Sequence, residues 1–142
     1  MKVTPEQTAT MSGNASWMLV SAALVLLMTP ALSLFYGGMS SRRSVLNMMM
    51  MSFTALGVVP VVYVLWGWSE SYGTQSVGGV FANPFEFFGL RNSIVDVNGA
   101  YIVGANGYAN VIDIMFQLTF AVISAAIISG AIASRVKIGA WI

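Results

Sequence analysis

Apolar positions in this chain fall into three runs, residues 17–36, 45–68 and about 111–134, that carry almost no charge. Crossing roughly 30 Å of hydrocarbon takes about 20 helical residues, so each run is long enough to span a bilayer. The pattern predicts three transmembrane helices. Residues 1–16 form a short polar lead whose charges are Lys2 and Glu6. The run behind it exceeds the roughly 7–15-residue apolar core of a cleaved signal peptide, so the first helix is expected to be retained. After Arg135-Val136-Lys137 the segment "IGAWI" reads as the opening of a fourth span beginning at about 138, and the chain is expected to be a truncated or partial polypeptide.

The third run has distinct sides. At about 100° per residue, with Phe116 at zero, Phe120 falls near 40°, Ile127 near 20°, Asp113 near 60° and Gln117 near 100°. Ala125, Ser129 and Ala133 form one row of small residues, and Ala126, Gly130 and Ser134 a second; such spacing lets helix backbones approach closely in a membrane. An acid and an amide beside two rings suit either ordinary packing or a small cation, which is drawn to an aromatic face within about 6 Å. In the first run, Pro30 should kink the helix and free the Leu26 carbonyl. Phe35-Tyr36-Gly37-Gly38 reads locally as an interfacial aromatic pair followed by a glycine stop. In the second run, Asn47, Ser52, Thr54, Gly57, Pro60 and Gly67 indicate helix packing.

Composition reinforces the solvent assignment. Hydrophobic residues make up 57% and charged residues 8%, with a mean hydropathy of +0.78, against about a quarter charged in soluble domains. A net charge of +1 offers no basic surface for nucleic acid. With 0 Cys and 0 His, neither thiolate chemistry nor the usual metal ligand is available, so no cofactor, metal site or enzyme activity is expected. Met48–Met51 are most simply apolar filling.

Basic residues set the orientation. Arg42 and Arg43 lie between the first two runs and Arg135 and Lys137 follow the third, whereas the 69–109 connection holds Glu70, Glu86 and Asp96 against Arg91. By the positive-inside rule the N-terminus and this connection are outside. At about 40 residues, with a turn at Asn83-Pro84 and Phe85, Phe87 and Phe88 behind it, the connection is expected to form an ordered cap.

The segments "WMLVSAALVLLMTPALSLFYGGMSSRRSVLNMMMMSF", "WGWSESYG" and "FQLTFAVISAAIISGAIASRVK" resemble the ammonium transporter family, the Amt/Mep/Rh superfamily, in its bacterial branch. The resemblance implies an all-α membrane protein: a polytopic bundle of eleven helices in two inverted repeats, of which residues 1–142 would supply the first three and the start of a fourth. It further implies a homotrimer with one pore per subunit, in a cell membrane, moving ammonium or ammonia inward, with a PII-type regulator at the cytoplasmic face. It puts Phe116 and Gln117 at the outer vestibule, Phe120 both there and in a phenylalanine gate, and Leu32, Phe35, Tyr36 and Ile127 along the apolar lower pore. A second reading is a non-conducting truncated paralogue that assists assembly or regulation. Two positions depart from the family pattern: Ser134 replaces a glutamate, and Glu70 stands where an apolar residue is usual. The family's pore histidines belong to later helices.

Overall fold

The computed structural model describes residues 5–104, 106–132 and 135–142. Helix α1 covers Pro5–Met39, α2 covers Val45–Val62, a π-turn covers Tyr63–Gly67 and α3 covers Trp68–Tyr72. Strands β1, Ser76–Val77, and β2, Phe81–Ala82, precede a 3₁₀ turn at Phe88–Leu90; then come α4, Asn110–Ala131, and α5, Ile138–Trp141. Three helical stretches, Pro5–Met39, Val45–Tyr72 and Asn110–Ala131, are long and apolar enough to cross a membrane. Only 22–28% of each apolar window is buried, and Leu24, Leu27 and Leu34 are exposed. Apolar side chains turned outward are what lipid or further membrane helices would solvate.

Helix boundaries differ from the sequence expectation in three places. The lead before Trp17 is helical from Pro5. Proline is pre-organised for a first helical position, and Glu6 in the first turn complements the helix dipole. Toward the other end, α1 continues through Gly37 and Gly38 to Met39, and Pro30 lies inside one helical run. Helix α4 ends at Ala131, and Ala133 and Ser134 lie outside the described residues, as does Lys2.

The contacts divide into two compact units. The first comprises Met1–Ala22 and Val64–Gln117. Its connection is folded, as expected. β1 and β2 pair antiparallel, Ser76 with Ala82 and Val77 with Phe81, and the chain reverses through Gly78 and Gly79 at φ 64° and 75°, values side chains rarely adopt. Glu86 accepts hydrogen bonds from the Thr74 amide at 2.8 Å, the Gln75 amide at 3.0 Å and the Thr74 hydroxyl. The Gln75 amide first, and then the Thr74 hydroxyl, hold the Glu86 carboxyl below its ordinary range. Asp96 is held low in the same way by the Ala100 and Asn98 amides. Asn14 on α1 donates to the Asn106 carbonyl at 3.1 Å, which anchors the helical lead.

The second unit comprises Ala23–Tyr63 and Leu118–Ile142. Here α1 meets α2 through small residues. The Ser33 hydroxyl donates to the Met49 carbonyl at 3.3 Å, and a Cβ on Gly37 would come within 2.9 Å of Met49 Cγ. That close approach gives Gly37 a packing role, whereas an added Cβ on Gly38 would meet nothing within 4 Å. Met48 and Met51 are buried, consistent with apolar filling. Asn47 donates to the Val136 carbonyl at 3.2 Å and Trp141 Nε1 to the Met51 carbonyl at 3.0 Å, fastening residues 136–141 to α2.

Candidate functional site

The N-terminal end of α4 is held by side chains distant in sequence. Asn110 at its first turn donates to the Ser93 carbonyl at 2.8 Å, while the buried Ser93 hydroxyl accepts from Trp68 Nε1 at 3.1 Å. Trp68 stacks on Tyr72 with ring centroids 4.2 Å apart. Ser69 adds a second tie: its hydroxyl donates to the Asn83 carbonyl at 2.6 Å and accepts from the Phe87 amide at 3.0 Å. Ser93 therefore links α3 to α4 and Ser69 links α3 to the loop, and each of these two buried hydroxyls has a partner. No local pattern marked Ser93 or Ser69, because each acts through a contact made far along the chain.

On α4 itself, Phe116 and Gln117 are half-buried. One turn further, Phe120 is 41% exposed and Ile127 is 53% exposed. Helical spacing keeps Phe116, Phe120 and Ile127 on one side, with Gln117 at its margin. Asp113 lies one turn toward the helix N-terminus on that side, half-buried, and receives the Tyr108 hydroxyl at 3.5 Å. An exposed ring, an amide and a carboxylate along one helix face present π-electron density and oxygen acceptors, the groups that a small hydrogen-bond-donating cation can use.

The residues expected deeper along the helices are brought together in part. The Tyr36 hydroxyl donates to the Ile127 carbonyl at 3.2 Å, joining α1 to α4. A Cβ on Gly130 would sit 2.6 Å from Tyr36 Oη and 2.7 Å from Cζ, so the missing side chain at Gly130 makes room for the phenol. Phe35 is exposed, its ring 6.0 Å from that of Tyr36, and Leu32 is half-buried. Tyr36 is thus a packing residue as well as a candidate for the pore wall, a role the sequence pattern did not separate. Among the described residues, no group of three or more His, Cys, Asp or Glu side chains forms a metal cluster.

Similarity to known proteins extends along nearly the whole chain. Residues 16–142 match the model of the Ammonium Transporter Family. The chain is similar to the ammonium transporter of Mycobacterium tuberculosis, 45% identical over 141 residues covering 92% of this chain and 29% of the relative. It is also similar to that of Aquifex aeolicus, 44% identical over 132 residues covering 92% and 30%, and to that of Bacillus subtilis, 39% identical over 132 residues covering 92% and 30%. The chain spans about three-tenths of the length of these curated relatives.

Proposed function

Because this chain belongs to the ammonium transporter family, we propose that it contributes the first membrane helices of a subunit that moves ammonium or ammonia inward across a cell membrane. The observation that carries this reading is the helical spacing that keeps Phe116 and Phe120 on one side of α4, with Gln117 at its margin and Phe120 exposed. Phe116 and Gln117 receive the cation at the outer mouth, and Phe120 both receives and gates it. The physical reason is dehydration: an ammonium ion entering an apolar passage loses water, and ring quadrupoles with an amide oxygen return part of that loss. Leu32, Phe35, Tyr36 and Ile127 then form an apolar wall in which a hydrated ion would be unsolvated. Family resemblance adds a homotrimer with one pore per subunit and a PII-type regulator at the cytoplasmic face. The reading requires saturable methylammonium uptake that ammonium displaces; a subunit inserted in the membrane yet silent in that assay refutes it.

Orientation is part of the proposal. Arg42, Arg43, Arg135 and Lys137 face the cytoplasm, and the 69–109 connection and the N-terminus face outward, the direction from which the α4 site would be loaded. Single cysteines report it. Val97 is 94% exposed and suits labelling better than the turn glycines with positive φ. An impermeant thiol reagent outside intact cells is expected to modify Val97→Cys and spare Ser41→Cys. The reverse pattern would invert the topology.

A further inference from the structure

We propose that Asp113 is a cation-docking residue that collects ammonium at the outer end of α4 before the aromatic face takes it up. This inference rests on the ammonium-transport reading and adds to it a charged first step. Asp113 lies three residues before Phe116 and four before Gln117, which puts its carboxylate one turn outward on the same side of the helix. It is half-buried, so it is neither lost in the interior nor free in bulk water.

Its neighbours are hydroxyls rather than bases. The Tyr108 hydroxyl donates to Asp113 Oδ1 at 3.5 Å and itself accepts from Asn106 Nδ2 at 3.4 Å. Tyr108 is thus the side chain that orients the carboxylate, through a neutral hydroxyl. Among the described residues no basic side chain pairs with Asp113. A neutral donor orients a carboxylate without cancelling its charge, so its field remains available to a cation. Residues 64–117 contain Glu70, Glu86, Asp96 and Asp113 against Arg91, which makes the surrounding field negative as well.

The division of labour follows from range. A ring attracts a cation within about 6 Å, whereas a carboxylate acts over about 10 Å at 0.1 M ionic strength. Charge concentrates any small cation at the mouth; rings and amide then choose among them. Asp113 is accordingly expected to govern apparent affinity and to leave selectivity to Phe116, Gln117 and Phe120. The competing explanation is that an acid in the first turn of α4 only complements the helix dipole. That role would show in stability and would not couple uptake to salt through KM.

The test is methylammonium uptake by the full-length subunit carrying Asp113→Asn, measured across ionic strengths and normalised to protein in the membrane. In low salt KM is expected to rise roughly three- to tenfold, with the maximal rate moving far less. The gap between variant and parent should shrink as salt screens the carboxylate. Asp113→Glu should restore both KM and its salt dependence, and the ratio of ammonium to methylammonium affinity should stay constant. If Asp113→Asn does not reach the membrane, Asp113→Ser provides the same comparison. A KM unchanged in low salt, a KM shift independent of salt, or a parent protein whose KM ignores ionic strength would each overturn the inference. Absence of saturable uptake by the parent would instead overturn the transport reading on which it rests.

Discussion

Replacing Phe120 with leucine is expected to weaken ammonium competition against methylammonium uptake by roughly tenfold while the protein folds and inserts normally. Leucine retains apolar bulk and removes the ring, so the substitution separates cation recognition from space filling. A partly desolvated cation–π contact contributes up to about 2 kcal/mol, and about 1.4 kcal/mol is tenfold in affinity. Phe120 is 41% exposed and so only partly desolvated, which puts the expected loss below that ceiling and near the tenfold step. Leak to other small cations has to be measured alongside, because a thinner side chain widens the passage and raises flux even as recognition falls. Apparent affinity and selectivity both unchanged in Phe120→Leu would reduce the ring to packing.

The second large effect is on stability. Gly130→Ala would put a Cβ 2.6 Å from Tyr36 Oη and 2.7 Å from Tyr36 Cζ, and the phenol cannot withdraw without giving up its 3.2 Å bond to the Ile127 carbonyl. Overpacking of this kind costs about 1–3 kcal/mol, and a lost hydrogen bond about 1 kcal/mol. The helical preference of alanine over glycine returns up to about 1 kcal/mol. Strain wins, leaving a net destabilisation of roughly 1–3 kcal/mol. Gly57 is the internal control: it lies within α2, where an added Cβ would meet nothing within 4 Å, so Gly57→Ala should be neutral or slightly stabilising. Denaturation midpoints in mixed micelles compare the two. In a double-mutant cycle, Tyr36→Leu should relieve much of the Gly130→Ala penalty. Equal midpoints for the two alanine variants would mean that Tyr36 and Gly130 are not in tight contact.

The spans were legible in the sequence because a bilayer imposes a severe and local rule, an uncharged run of sufficient length. The aromatic side of α4 was legible for a related reason: helical periodicity fixes which of Phe116, Gln117, Phe120 and Ile127 share a side before any partner is known. Residues 5–16 were harder to assign because they are polar, although Pro5 and Glu6 carried a helix-start signal. Helix α1 ends at Met39, just past the stop expected at Gly37-Gly38, and the contact of Gly37 with Met49 is a packing role that the local pattern did not show. Ser93, Ser69 and Glu86 acquire their importance through bonds spanning 11 to 25 residues. No spacing rule reaches that far within a loop. The Tyr36–Ile127 bond belongs to the same class, since it joins residues 91 apart.

Uptake of labelled methylammonium into liposomes containing the full-length subunit tests the central claim most directly, with ammonium and potassium added at equal concentration as competitors. Saturable uptake that ammonium suppresses strongly and potassium leaves nearly intact is the predicted result, because the amide oxygen accepts a hydrogen bond that ammonium donates and potassium cannot. Uptake that does not saturate, or that potassium suppresses as well as ammonium does, would contradict it.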